Sequence, residues 1–177
     1  MGLIARLGCR LGLLCVLWFP PLEANAKALG TEEAAEIAQC IKAASQGALW
    51  LERTLWGLRD QEGGWIGAEI ANANGTHDLG PLQINSWWVP RISAVLHRPA
   101  AEIRHWLIYD ACFNASAARW IFLSGLSAGK GYWKAVGIYH SPTPWRQERY
   151  ALAVAGHLRR RFGPDVFSGR TGNRLGP

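Results

Sequence analysis

The chain has 177 residues, 49% of them hydrophobic and 18% charged, with a formal net charge of +6. That length suits one domain with an ordinary core rather than two, and the composition excludes global disorder. The basic balance favours an anionic partner; the Lys and Arg residues are scattered along the chain, which speaks against nucleic acid and for a cell-wall polymer or membrane surface.

The first 26 residues read as a cleavable secretory leader. Arg6 and Arg10 give a positive start, Leu11 to Phe19 an apolar run, Pro20-Pro21 a break and Ala24-Asn25-Ala26 a small-x-small cleavage site. The run is too short to span a bilayer, so no stable membrane span is expected after cleavage. The competing reading is an uncleaved N-terminal anchor. Of four cysteines, Cys9 and Cys15 leave with the leader, and Cys40 and Cys112 remain. An even count in an exported chain reads as one disulfide closing a loop of about 70 residues, worth about 4 kcal/mol on the chain-entropy account. Two buried free thiols are the alternative.

Thr31 with Glu32-Glu33 reads as a helix start, and Ile37, Cys40, Ile41 and Ala44 recur at helical spacing behind it. A second helix spans Leu49 to Gln61, with Leu51, Leu55 and Leu58 on one stripe, and Gly63-Gly64 stops it. Glu62 therefore stands at a helix C-terminus, where the dipole disfavours a carboxylate. Burial among Trp56, Trp65 and Tyr139 would raise its pKa further and make it a general acid. A solvated helix-end glutamate is the plain alternative. The two glycines after Glu62 also read as clearance for a sugar ring.

From Gly67 to Ser86 the pattern turns to Asn72, Asn74-Gly75, Asp78 and Gly80-Pro81, which predicts a small irregular sheet of two or three strands. Leu82 to Asn85 reads as its most regular strand, putting Gln83 and Asn85 on one face, where amides could meet sugar hydroxyls. Asp78 is either a second carboxylate of the site or a turn residue bonding its own backbone. The remainder is helical: Ser86 capping a segment to Leu96, Pro99 to Trp106, an Asp110-capped helix through Cys112 to Gly125, Lys130 to Tyr139, and Trp145 to Phe162. The tail from Gly163 to Pro177 is expected to be disordered.

Several patterns carry little. Gly125 to Lys130 lacks the spacing and the hydroxyl residue of a phosphate loop. Five histidines show no metal-ligand spacing. Asp60 and Glu69 are weak candidates for the acid: Asp60, two residues from Glu62, points elsewhere on a helix, and Gly63-Gly64 break any helical register between Glu62 and Glu69. Trp65, Trp87 and Trp88 flank the site stretch, and one or two of them are expected along a groove.

The residues from Glu62 to Trp87 resemble the soluble lytic transglycosylases, whose domain is lysozyme-like. The likeness rests on Glu62, on Asn72-x-Asn74-Gly75-Thr76-x-Asp78-x-Gly80 and on Gln83-Ile84-Asn85-Ser86. It continues in Cys112-x-Asn114, in Tyr139 and in the Cys40–Cys112 pairing, and it is greatest to the small exported members that accompany conjugation, secretion and pilus machines. It implies a mostly α, α+β fold over residues 27–162 with a small hairpin region beside an active-site cleft. It also implies a periplasmic monomer that cleaves the β-1,4 bond between N-acetylmuramic acid and N-acetylglucosamine in peptidoglycan, leaving a 1,6-anhydro end and requiring no metal or cofactor. Glu62 would be the catalytic acid, and Asp78, Gln83, Asn85, Tyr139, Trp65 and His140 would bind substrate. Two positions depart from the pattern: Gly63 stands where Ser usually follows the glutamate, and His140 where Asn usually follows the tyrosine. Two other readings remain: a hydrolytic muramidase pairing Glu62 with Asp78 across roughly 5–5.5 Å, and an inactive wall-binding component of an assembly machine.

Overall fold

Residues 22–167 are described by a computed structural model. Seven α-helices enclose a core, and one small antiparallel sheet stands beside them. In chain order these are α1 (Leu22–Ala44), α2 (Leu49–Glu62), β1 (Glu69–Ala71), β2 (His77–Leu79), β3 (Ile84–Asn85), a 3-10 turn (Ser86–Trp88), α3 (Val89–Leu96), α4 (Ala100–Tyr109), α5 (Ala111–Gly125), α6 (Tyr132–His140) and α7 (Pro144–Phe162). The fold is thus mostly α with a minor β part, as expected from the sequence.

Helix α5 is the central element. Asp110 caps it by accepting the Phe113 N–H at 2.8 Å, as the sequence predicts. Ala111, Ala115, Ala117, Ala118, Ile121 and Phe122 are all buried on it, and it packs against α1, α2, α4 and α6. So many alanines let four neighbours approach one rod closely. Cys40 of α1 and Cys112 of α5 form a disulfide with 4.5 Å between their Cα atoms, which clamps α1 to this centre. Their separation of 72 residues makes the expected cost of removing both sulfurs about 4 kcal/mol. A denaturant titration of Cys40→Ala/Cys112→Ala checks it, and a cost below about 1 kcal/mol would show that the clamp is not supporting the fold.

Helices α2 and α7 cross at Gly57, where a Cβ would lie 2.9 Å from Leu158 Cγ and 3.0 Å from Val154 Cγ1. Asp60 reinforces the crossing by accepting two bonds from the Arg161 guanidinium, each at 2.7 Å. This close crossing sets what the end of α2 can meet on α7.

Four expectations change. Thr31 does not open the first helix: α1 runs through it from Leu22, because 22–30 is rich in helix-forming Ala and Leu and holds no proline. The cap of the 3-10 turn is Asn85, which accepts the Trp87 N–H at 3.0 Å, while the Ser86 hydroxyl accepts the His77 N–H. The helix predicted at Lys130 begins at Tyr132, after a π-helical turn over Leu126–Lys130. Gly163 ends α7, but Pro164–Phe167 form a 3-10 turn with Val166 fully buried, so the expected disordered tail does not begin at Gly163. Residues 168–177 and most of the predicted leader lie outside the described residues. No helix among the described residues is long and apolar enough to cross a membrane.

Candidate active site

Glu62 is the last residue of α2, and Gly63 behind it takes a left-handed conformation (φ 62°) while returning its N–H to the Arg59 carbonyl. The helix end therefore stops where the sequence places it. Glu62 opens onto a cavity of about 380 Å3 that is also lined by Asp78, Gln83, Asn85, Tyr139 and His140. All the predicted site residues except Trp65 thus share one cleft. Trp65 is 51% exposed and is not part of the lining, because the chain turns away after Gly64, held by the Ile66 N–H donating to Glu33 at 2.7 Å. Trp56 is not there either. It lies under the Arg161 guanidinium, 4.0 Å from its ring centre.

Two tyrosines surround the acid instead. Tyr150, on the buried face of α7, donates its hydroxyl to Glu62 Oε1 at 2.5 Å. Tyr139 donates to the Leu82 carbonyl at 2.8 Å. Burial, the Tyr150 hydrogen bond and the Asp78 charge together set the Glu62 pKa, which rises from 4.5 to about 7. Burial is the largest cause and the nearby Asp78 carboxylate adds to it, whereas the Tyr150 bond, by favouring the charged form, holds the value down. The Tyr150 hydroxyl itself is pushed well above its ordinary value, by burial first and then by the Glu62 charge, so it stays a donor. Tyr150→Phe should therefore move the Glu62 titration above pH 7, read from its carboxylate infrared band. A fall in that pKa would contradict the assigned donor.

The amide side of the cleft is built differently from the expectation. Leu82 to Asn85 is not a regular strand; only Ile84 and Asn85 pair, opposite Leu79 and Asp78. Gln83 has a left-handed backbone (φ 49°), and its side-chain amide donates to the Gly80 carbonyl at 2.8 Å. Gln83 and Asn85 reach the cleft by this turn and not by strand alternation. Asn85 donates to both Asp78 Oδ1 and Thr76 Oγ1 at 2.9 Å, so Asp78 bonds across the sheet rather than to its own backbone. Gly64 serves this turn: a Cβ there would lie 2.3 Å from the Gly80 carbonyl oxygen. Its clearance is for the protein's own backbone and not for a sugar.

The other two weak carboxylate candidates are engaged elsewhere, Glu69 with Arg104 and Asp60 with Arg161. Trp88 lines the central cavity, and Trp87 and Trp88 line its continuation of about 590 Å3 together with Arg91, whose guanidinium lies 3.5 Å from the Trp87 ring centre. Two of the three flanking tryptophans are therefore in the groove. His140 closes α6 and stacks on Tyr150, with ring centres 4.6 Å apart; burial lowers its pKa. Sequence reasoning missed Tyr150, which bonds Glu62 from behind the cleft, and Arg146, which lines the cleft together with Ile121 and Ser141. Tyr150 and Arg146 come from α7, and no local pattern marks them.

Among the described residues no group of three or more His, Cys, Asp or Glu side chains could hold a metal ion. Chemically, the cleft offers one carboxyl that is half protonated near neutral pH, a second carboxylate within electrostatic reach, several amides and an aromatic rim. Neither a protein-family model nor a curated protein matches this chain.

Proposed function

We propose that the protein is a peptidoglycan lytic transglycosylase with a lysozyme-like fold, working on glycan strands in the periplasm. The observation that carries this is the single carboxyl group poised near pH 7 at the end of α2, in an open groove of amides and aromatic rings. Such a groove suits a polymer with hydroxyl and N-acetyl groups. Glu62 donates its proton to the leaving glycosidic oxygen as the C1–O bond of N-acetylmuramic acid breaks. The resulting carboxylate then takes the proton of that sugar's 6-hydroxyl, whose oxygen bonds to C1 and closes the 1,6-anhydro ring. The N-acetyl group steadies the cation between the two steps, and no water or second enzymic nucleophile is consumed. The one disulfide among the described residues supports an oxidising compartment. Local wall opening for a secretion, conjugation or pilus machine is the role that accords with the family resemblance.

A hydrolytic muramidase is the second reading, favoured by Asp78, which lines the same cavity and raises the Glu62 pKa. Its bond from Asn85 gives it an evident supporting role that needs no covalent step. Mass spectrometry of wall digests separates the two. The transglycosylase reading predicts 1,6-anhydro ends from the wild type and, with Asp78→Asn, the same products at a rate lowered by about tenfold or less. Reducing muramic acid ends alone, or a folded Asp78→Asn with no turnover, would overturn it.

A further inference from the structure

Beside the central cavity lies another of about 420 Å3, lined by Gln61, Trp145, Arg146, Arg149 and Tyr150 among others. The two are joined through Arg146 and His140, which line both. Arg146 and Arg149 stand three residues apart on α7, so their side chains emerge on one helix face about one turn, or roughly 5 Å, apart. Both are exposed, and among the described residues neither forms an ion pair with a carboxylate. Among the described residues no Asp or Glu lines this cavity. Its open edge carries the Trp145 indole, 59% exposed, with the Arg146 guanidinium 5.3 Å from the ring centre.

Two unpaired guanidiniums on successive positions of one face, in a concavity with an aromatic wall, are suited to a planar anion. A guanidinium meets a carboxylate with two parallel N–H donors, and a flat ring accepts the apolar part of whatever carries it. Tyr150 ties the place to the reaction. It lines this cavity and also donates to Glu62, so a ligand held here is within a side chain's length of the acid.

We propose that Arg146 and Arg149, with Trp145 beside them, form a carboxylate-binding site at one end of the cleft that takes the anionic substituent of the bound glycan strand. The inference rests on the glycan reading of the cleft and adds to it what selects the strand. Each N-acetylmuramic acid offers a carboxylate of one of two origins: the lactyl group itself where no stem is attached, or, where the lactyl carboxyl is amide-linked to a stem, the carboxylates of that peptide. The chemistry recognised is the same, and the experiment separates them.

Titration calorimetry on the Glu62→Gln protein, with and without Arg149→Glu, would use three soluble probes. They are an N-acetylglucosamine oligomer with no carboxylate, glycan strands stripped to the lactyl carboxylate, and strands bearing full stems. Arg149 lines the side cavity and not the central one, so Arg149→Glu is expected to leave the neutral oligomer unaffected. It should weaken binding of a carboxylate-bearing strand by about tenfold or more. Loss with stripped strands assigns the lactyl group, and loss only with stem-bearing strands assigns the stem. Equal effects on all three probes would overturn the site while leaving the glycan reading standing. Failure of every probe to bind either protein would overturn both. If no glycan is affected but Arg149→Glu no longer binds phosphatidylglycerol vesicles, the helix face is a membrane contact and the proposal fails.

Discussion

Glu62→Gln is expected to lower the rate of clearing of purified peptidoglycan by roughly 10²- to 10⁴-fold, the range associated with loss of a positioned general acid. The amide keeps the shape of the carboxyl and can still accept from Tyr150, so the cleft should remain assembled while the transferable proton is gone. Clearing within about threefold of the wild type would remove Glu62 as the acid. In the wild type, a pKa of about 7 keeps half of the acid protonated at neutral pH, so turnover should fall about tenfold per pH unit on the alkaline side.

The same substitution has a stability consequence of opposite sign. Glu62 binds its proton more tightly in the folded protein, pKa about 7, than in the unfolded chain, near 4.5. Its favourable contribution is therefore fully present below pH 4.5 and is lost as pH rises through 7. A difference of that size corresponds to about 3 kcal/mol. Glu62→Gln does not titrate, so it should match the wild type near pH 4 and exceed it in stability near pH 8. Urea midpoints at the two pH values test this, and a wild type that gains on the variant with rising pH would refute the raised pKa. A site that gives up stability in order to hold a proton at neutral pH is what acid catalysis asks of it.

How much of this could be seen beforehand depends on how local each cause is. Glu62 at a helix end was legible because Gly63 follows it at once, and a left-handed stop is a short-range property. The Asp110 cap and the α5 stripe were legible for the same reason. The partner that governs the acid was not. Tyr150 lies 88 residues from Glu62 and reaches it because α2 and α7 cross tightly at Gly57, a fact of packing that no periodicity encodes. Trp65 shows the converse error. It is near Glu62 in sequence, but the turn after Gly64 carries it outward. Strand alternation puts Gln83 on the right surface for the wrong reason, since the backbone there turns left-handed. Local sequence placed Glu62 at its helix end, and tertiary contacts decided its environment.

Those contacts converge on Asn114, the one fully buried amide of α5, with no exposed surface. Its Oδ1 accepts the Leu82 N–H at 2.9 Å, and its Nδ2 donates to the Leu79 and Leu107 carbonyls, each at 2.8 Å. One side chain thus satisfies the backbone on both sides of the Gly80-Pro81 turn and ties it to α4. Gly80 is required at this place, because a Cβ there would lie 2.1 Å from the Leu107 carbonyl oxygen and 2.5 Å from Asn114 Nδ2. Asn114→Ala would leave three buried polar groups without partners, at roughly 1–3 kcal/mol each, or about 5 kcal/mol together. The loss should not be confined to global stability. Leu82 offers its carbonyl to Tyr139 and leads into Gln83, so freeing its N–H loosens the amide wall of the cleft from behind. Hydrogen exchange should show the Leu82 amide losing protection by several orders of magnitude, and turnover of peptidoglycan should fall even at temperatures where circular dichroism reports a folded protein. A cost below about 1 kcal/mol with unchanged exchange at Leu82 would mean that the sheet holds its own shape. Asn114 is fully buried and does not line the cleft, yet it carries the position of Gln83 and Asn85 relative to Glu62, so under the proposed function it acts as a positioning residue.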